Sequence, residues 1–93
     1  MEFEWDDEKY VENLRKHKVS FFESLETFQD PNGFKMIDVK YSTSKEQRFY
    51  WIGKSKSERI LTTRFTMRDK KIRIIGSAEW RKFRKLYEAT KIK

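Results

Sequence analysis

The chain of 93 residues has no cysteine, one proline, three glycines and a single histidine. The absence of cysteine excludes disulfides, thiol nucleophiles and cysteine-ligated metal sites, and it is typical of a reducing compartment. The glycines are too few and too scattered to build a phosphate-binding loop. One histidine cannot form a metal site by itself. We therefore expect no metal and no cofactor.

Long apolar runs are also missing. No stretch approaches the roughly 18 apolar residues that a membrane span needs. The N-terminal segment MEFEWDDE is acidic and lacks the apolar core of a signal peptide. The default expectation is a cytoplasmic protein with no membrane partner, folded as one domain over residues 1–93. Eight Phe, four Tyr and three Trp supply the bulk for one modest core.

Charge is divided unevenly along the chain. Residues 1–38 carry five Lys or Arg against ten Asp or Glu, whereas residues 39–93 carry seventeen against five. A segment as basic as the second predicts a polyanionic partner, which could be RNA, DNA or an acidic protein. An ordinary solvated basic surface is the plain alternative.

The first helix is predicted over residues 7–17, after a short strand or extended lead-in at Phe3–Trp5. Asp6 can cap it, because an aspartate before a helix accepts hydrogen bonds from the free N–H groups of the first turn. One face of this helix carries Tyr10, Leu14 and His17 at helical spacing. That pattern indicates a covered face, with the histidine at the helix end.

A second short helix follows at once. Ser20 with Glu23 three residues later is a capping box. The apolar face that follows consists of Phe21, Leu25 and Phe28. The turn residues Asp30-Pro31-Asn32-Gly33 then stop the helix.

The rest of the chain predicts a sheet closed by a helix. A weak strand near residues 34–40 precedes three alternating segments at 47–54, 59–67 and 70–76. Their short connections favour antiparallel neighbours. Ser77 is expected to end the sheet and cap a last helix over residues 78–91. The predicted fold class is α+β, with two N-terminal helices, an antiparallel sheet of about four strands and a C-terminal helix.

Alternation along the strands sorts the side chains onto two faces. One face packs apolar residues against the helices. The other is predicted to be an open basic face carrying Arg48, Tyr50, Arg64, Lys71 and Arg73, with Arg81, Arg84 or Lys85 of the last helix at its rim. Arginines match phosphate oxygens in pairs, and a tyrosine among them can stack a base. The pattern favours nucleic-acid binding over an ordinary solvated face.

Six short segments stand in a fixed order: W-D-x-x-K from Trp5, N-L-x-K-H-x-V-S-F from Asn13, F-x-D-P from Phe28, E-x-R-F from Glu46, I-G-x-S from Ile52 and I-R-I-I from Ile72. Together they resemble the BrnT toxins of bacterial type II toxin–antitoxin modules. The resemblance covers nearly the whole chain, and it departs from the common pattern at three places. Lys18 stands where many members have glycine, Tyr41 stands where many have histidine, and residues 76–81 differ from the usual S-A-R continuation.

The resemblance implies a RelE-like fold and a metal-independent endoribonuclease that cleaves RNA and inhibits translation. It also implies a BrnA-like antitoxin, encoded alongside, that neutralises the toxin in a hetero-oligomer. A non-catalytic RNA- or protein-binding module of the same fold is the alternative.

A metal-free ribonuclease needs a base near the 2′-hydroxyl, cations near the developing phosphorane and an acid for the leaving oxygen. Arg64 and Arg73 are the first choices for the phosphorane, because they are predicted on adjacent strands of one face. Arg81 is a candidate third cation. The expected RNA-binding residues are Arg48, Tyr50, Lys71, Arg84 and Lys85.

The general base is less clearly indicated. Histidine ordinarily titrates near pH 6.5, at about the pH where a base works. However, the predicted helix face puts His17 on the covered side of the sheet, away from Arg64, and favours a structural role at the helix end. The alternatives for the base are Lys16, Glu79, Tyr87 and Tyr50.

Overall fold

The computed structural model describes residues 2–91. The elements in chain order are β1 (Phe3–Trp5), α1 (Asp7–His17), α2 (Phe21–Thr27), β2 (Phe34–Ile37), β3 (Arg48–Lys54), β4 (Ile60–Arg68), β5 (Lys71–Ala78) and α3 (Arg81–Lys91). The strands form one sheet in the order β1-β5-β4-β3-β2. The predicted α+β class, with two N-terminal helices and a C-terminal helix, is confirmed, and the sheet has five strands.

The sheet is mixed because its first strand runs parallel to its last. β1 pairs with β5 in the register Phe3↔Ile72, Glu4↔Arg73 and Trp5↔Ile74, whereas β2 to β5 pair antiparallel. The short lead-in predicted at Phe3–Trp5 is therefore a true edge strand. Its pairing depends on residues nearly seventy positions away, which the local alternation pattern does not reveal.

Helices cover both faces of the sheet. On the first face, α1 and α2 pack over a buried cluster of Phe21, Phe65, Ile72 and Ile74. On the second face, the face of Arg64, α3 lies across β3 and β4. Its Phe83 ring lies 4.8 Å from that of Tyr50, the register partner of Arg64. The expectation of an open basic face is therefore wrong in part, because α3 covers the area around Tyr50.

The predicted start of each N-terminal helix is confirmed. The Asp6 carboxylate accepts from the N–H groups of Glu8 and Lys9 at 2.8 and 3.3 Å, and Ser20 Oγ accepts from Glu23 N at 3.0 Å. The second half of the capping box is redirected. The Glu23 carboxylate contacts Ser55, Ser57 and Arg59 of a neighbouring loop.

The end of β5 differs from the prediction. Ser77 does not cap a helix but continues the strand to Ala78, and α3 begins at Arg81. The cause is the buried side chain of Asn13, which accepts from Ser77 N at 3.0 Å and donates to Ser77 O at 2.9 Å. The amide takes the place of a neighbouring strand where β1 has already ended, so the β5 backbone stays hydrogen-bonded.

The end of α1 is left-handed. Lys18 adopts φ 58° and ψ 33°, and its N–H donates to Leu14 O at 3.0 Å. This conformation closes a helix well but costs a residue with a Cβ atom about 1–2 kcal/mol. A lysine therefore occupies a position that suits glycine.

We expect Lys18→Gly to raise the free energy of unfolding by about 0.5–1 kcal/mol. Relief of the left-handed strain outweighs the extra freedom that glycine gives the unfolded chain. Urea denaturation measures the change. Lys16→Gly, two residues earlier within the helix, is the matched control and should lower stability by about 1 kcal/mol. A loss of stability in Lys18→Gly as well would contradict the assignment of strain.

Candidate active site

A cleft opens at the edge of β5, beyond the point where β1 ends. Its volume is about 190 Å³, and its walls are α1, β5 and the turn before α3. The ionisable and aromatic side chains that line it are those of Lys9, Glu12, Lys16, His17, Arg64 and Trp80. Three lysine or arginine cations thus face one carboxylate, so the cleft favours an anionic ligand. We refer to it as the α1–β5 cleft.

Arg64, on β4, lines the cleft because the neighbouring residue on β5 is a glycine. Its register neighbour on β5 is Gly76, which has no side chain to block the way. A Cβ at this position would make only an ordinary contact, 3.4 Å from Asn13 Oδ1. Arg64 therefore lines the cleft together with side chains that α1 contributes.

Arg64 also lacks the partners that the neighbouring cations have. It forms no ion pair with a carboxylate within residues 2–91, a property that it shares among the described arginines only with Arg81. Its Nε is buried without a hydrogen-bond partner in that range. Its Cζ lies 5.0 Å from the centroid of the Tyr41 ring, a cation–π distance. The guanidinium is held by a ring and remains available to an anion.

The other cations predicted on this face are neutralised by acids. Arg73 pairs with Glu4 at 3.1 Å, and Lys71 with Glu2 at 3.6 Å. Arg48 pairs with Glu46 at 3.1 Å. These three cations lie outside the α1–β5 cleft.

Arg73 lies on the same face as Arg64, as predicted, but at a different level of the sheet. Arg64 stands opposite Gly76, whereas Arg73 stands opposite Thr66, and a register irregularity separates the two levels. The side chain of Arg73 turns toward Glu4, its register partner on β1. The structure therefore does not bring Arg64 and Arg73 into one cleft.

His17 lies in the cleft with Arg64, so its predicted position on the covered side of the sheet is wrong. The imidazole is exposed, and its ring lies 6.1 Å from that of Trp80 in an edge-on arrangement. The residue of α1 that is buried against the sheet is Asn13, whereas Leu14 is 43% exposed. The apolar pattern misplaced the histidine because a polar residue occupies the buried position. Lys16, on the same helix, also lines the cleft, 3.6 Å from Glu12.

Two of the alternative bases lie elsewhere in ordered contacts. Glu79 accepts from Arg59 at 2.6 Å, outside the cleft. The Tyr87 hydroxyl is buried and donates to Asp30 at 2.6 Å. Burial, together with the Asp30 carboxylate, raises the pKa of Tyr87 to about 12. A hydroxyl that stays protonated at neutral pH does not serve as a general base.

Tyr50 is equally constrained. Phe83 covers its ring, and burial with the charge of nearby Asp38 raises its pKa, against a smaller opposing effect of Arg64. The contact with Phe83 reduces the ring area that a base could stack on, and the predicted role of Tyr50 in RNA binding stays a prediction. Its contribution is to pack beside Arg64.

The remaining predicted cations line a second cavity, between α3 and the start of β4. This groove has a volume of about 580 Å³ and is lined by Trp80, by four cations, Arg59, Arg81, Arg84 and Lys85, and by three carboxylates, Glu58, Glu79 and Glu88. Arg84 pairs with Glu88 at 3.6 Å. We refer to this second cavity as the α3 groove. Trp80 belongs to both cavities and is therefore their common wall.

Two functional candidates were missed in the sequence. Arg59 contacts Glu23 at 2.7 Å, Glu79 at 2.6 Å and the carbonyl oxygen of Lys18 at 3.1 Å. It thereby joins the residue after His17 to the residue before Trp80, on opposite walls of the cleft. Trp80 falls inside the last helix as it was predicted, over residues 78–91. The helix begins instead at Arg81, so Trp80 lies in the connection before it.

Among residues 2–91, no group of three or more His, Cys, Asp or Glu side chains could hold a metal ion. Within the same range, no helix has the length and apolarity to cross a membrane.

Comparisons with known proteins identify one family. The family model described as "Ribonuclease toxin, BrnT, of type II toxin-antitoxin system" matches residues 5–83. Among solved structures, the crystal structure of the Brucella abortus ribonuclease toxin BrnT is similar, with a TM-score of 0.60 and 18% sequence identity. The match covers 86% of this chain and 96% of that chain. At that identity the likeness concerns the fold alone. A search of curated proteins finds no match.

The buried tyrosine gives a test at high pH. The folded-state pKa of Tyr87 lies above the ordinary value of 10.0, so its hydroxyl contributes stability that is fully present below pH 10. That contribution is lost as the pH rises toward 12. We expect Tyr87→Phe to lower the free energy of unfolding by about 1–3 kcal/mol at neutral pH, because a buried hydrogen bond to a carboxylate is removed.

Between pH 10 and 12 the variant should lose less stability than the wild type, since it lacks the titrating group. Chemical denaturation at several pH values measures both effects. Tyr41→Phe, at an exposed tyrosine, is the control and should follow the wild type. Parallel alkaline losses in wild type and Tyr87→Phe would show that another group governs this range.

Proposed function

The chain belongs to the BrnT family of ribonuclease toxins of type II toxin–antitoxin systems, and on that premise we propose that it is a metal-independent endoribonuclease whose cleavage of RNA inhibits translation. The observation that carries the proposal is Arg64 in the α1–β5 cleft. Its guanidinium has no carboxylate partner within the described chain, and the same cleft is lined by an exposed imidazole, that of His17. A fixed cation and a titratable base are the two elements that phosphodiester cleavage by an internal hydroxyl requires.

In the proposed reaction the RNA 2′-hydroxyl attacks the adjacent phosphorus. The O2′–P bond forms, the P–O5′ bond breaks, and the hydroxyl proton passes to the His17 imidazole. Arg64 stabilises the additional negative charge on the phosphorane oxygens, because its guanidinium remains charged throughout. The ammonium of Lys16 gives the departing 5′-oxygen its proton. The products are a 2′,3′-cyclic phosphate and a 5′-hydroxyl.

The remaining cations take supporting roles in this proposal. Arg81 lies next to Trp80 and, like Arg64, has no carboxylate partner within residues 2–91. With Arg84 and Lys85 it would hold the continuing RNA chain in the α3 groove. Arg48, Lys71 and Arg73 are tied to acidic side chains and would contact more distant phosphates.

We further propose that the protein acts in the cytoplasm and that a BrnA-like antitoxin, encoded beside it, blocks the α1–β5 cleft in a hetero-oligomer. A type II system neutralises its toxin by a protein, and a protein covering the cleft excludes RNA. Titration of the neighbouring gene's product into a cleavage assay tests the assignment. A product that leaves the cleavage rate unchanged is not the antitoxin.

Arg64→Ala should reduce the rate of RNA cleavage by roughly 10²-fold or more, the usual effect of losing one transition-state electrostatic donor. The assay follows a long RNA in the presence of EDTA. Arg68→Ala is the matched control, since Arg68 lies on the same strand, is exposed and pairs with Glu46. The control should cleave at the wild-type rate.

The same assay separates the alternatives. Wild-type protein that retards RNA without cutting it would indicate the non-catalytic binding module. Protein that neither cuts nor retards RNA would indicate that only protein contacts remain. Full activity in Arg64→Ala would show that the α1–β5 cleft is not the active site.

His17→Gln tests the general base. Because the imidazole is exposed at the helix end, its loss should change the melting temperature little, whereas the cleavage rate should fall by about 10²- to 10⁴-fold. A thermal melt and a cleavage assay on one preparation measure both. A lower melting temperature with cleavage retained would instead return His17 to a structural role. Lys16→Gln, prepared in parallel, tests the proposed general acid and should also lower the cleavage rate.

A further inference from the structure

Trp80 occupies a position that neither the core nor the proposed chemistry explains. It lies between β5 and α3, is half-buried, and forms part of both the α1–β5 cleft and the α3 groove. Its ring makes an edge-on contact with His17 at 6.1 Å and a tilted contact with Phe83 at 6.2 Å. An amphipathic ring of this size is thus placed where the two cavities meet.

The other two tryptophans are engaged inside the fold. Trp51 stacks on Phe28 at 5.2 Å, and its indole N–H donates to Thr27 O at 2.8 Å. Trp5 lies among Tyr10, Phe21 and Phe22. Trp80 is therefore the tryptophan that a ligand in the cleft can reach.

The tyrosines on the same face of the sheet are less suited to this contact. Phe83 covers Tyr50, and the Arg64 guanidinium lies over the ring of Tyr41. Aromatic contact with a nucleobase in the cleft therefore falls to Trp80.

The apolar ring of Trp80 lies between two cavities that each contain a cation. The cleft presents Arg64 on one side, and the groove presents Arg81 on the other, both without a carboxylate partner within residues 2–91. Cation, ring and cation in sequence match phosphate, base and phosphate along a single strand. A base within a duplex cannot lie on a side chain in this way, whereas a splayed base in single-stranded RNA can.

We propose that Trp80 is the base-stacking residue of this site. The base next to the phosphate at Arg64 lies on the indole, and the strand continues past Arg81 into the α3 groove. The substrate class is therefore single-stranded RNA. The inference rests on the proposed function for the identity of the ligand, but it concerns binding and is tested without cleavage.

The binding probe is a single-stranded 2′-O-methyl oligonucleotide, which lacks the attacking hydroxyl and so cannot be cut. Trp80→Ala should weaken its binding by about 5- to 100-fold, the range expected for the loss of one base–aromatic stack. Trp80→Phe should keep most of the affinity, because a smaller ring still stacks. Phe22→Ala is the matched control, since Phe22 is exposed, aromatic and outside both cavities.

Two further measurements keep the test independent of folding defects. In the wild type the bound oligonucleotide should quench tryptophan emission, and in Trp80→Phe the quenching should disappear, because Trp5 and Trp51 remain in the fold. An oligonucleotide that lacks the stacked base should bind the wild type and Trp80→Ala equally.

Several results would overturn the inference. These are unchanged affinity in Trp80→Ala, retained quenching in Trp80→Phe, and an equal loss of affinity for duplex RNA. Normal RNA binding with impaired binding of the antitoxin would reassign Trp80 to protein docking. The two proposals fail separately. Trp80-dependent binding without any cleavage of natural RNA removes the ribonuclease function alone, whereas cleavage with Trp80-independent binding removes only this inference.

Discussion

The side-chain amide of Asn13 is the interaction on which the arrangement of the site depends. It donates to Val19 O and Ser77 O, each at 2.9 Å, and accepts from Ser77 N at 3.0 Å. These bonds fix α1 to β5 and complete the β5 backbone where β1 ends. They also explain why a polar residue is buried, since an unpaired amide there would cost about 1–3 kcal/mol. Because His17 lies one turn beyond Asn13, the same bonds set its distance from the sheet.

Charge compensation within the chain then determines where positive potential remains. The acidic first part of the sequence lies against the basic second part, in the pairs Glu2–Lys71, Glu4–Arg73 and Glu23–Arg59. The sequence alone suggested a broad basic face, but most of these cations meet a carboxylate. Among the cations predicted on that face, Arg64, Arg81 and Lys85 lack such partners in the described part of the chain, and each of them lines one of the two cavities. Ion pairing within the chain thus leaves the unpaired cations of this face at the two cavities.

Local signals in the sequence predicted the local features of the fold. Asp6 and Ser20 identified two helix starts, because capping depends on residues within a few positions. The order of the antiparallel strands followed from short connections, and alternation correctly put Arg64 and Arg73 on one face. Features that depend on distant contacts were missed, namely the parallel pairing of β1, the burial of Asn13 and the path of α3 across the second face.

Two of the errors about the site involve Asn13. The apolar pattern put His17 on the covered side of the sheet, because it assumed that the face of α1 toward the sheet is apolar, whereas Asn13 is the residue buried there. Ser77 was assigned to a helix cap because its actual partner, the Asn13 amide, lies sixty-four positions away and leaves no signal in the local sequence. Without those two errors, His17 and Trp80 would have been placed on opposite walls of one cleft. The fold class could therefore be predicted without knowledge of the buried Asn13–Ser77 contact, whereas the position of His17 could not.

Arg64 links the stability of the fold to its proposed activity. Its Nε is buried without a hydrogen-bond partner in the described structure, and such a group ordinarily costs about 1–3 kcal/mol. Buried unsatisfied donors are rare in folded proteins and call for a functional explanation. A phosphate in the α1–β5 cleft would supply a charge that compensates the guanidinium, which has no carboxylate partner within the described residues. The fold thus keeps an uncompensated cation where RNA is proposed to bind, and the positioning of that cation, which leaves Nε unsatisfied, is the functional explanation that we propose.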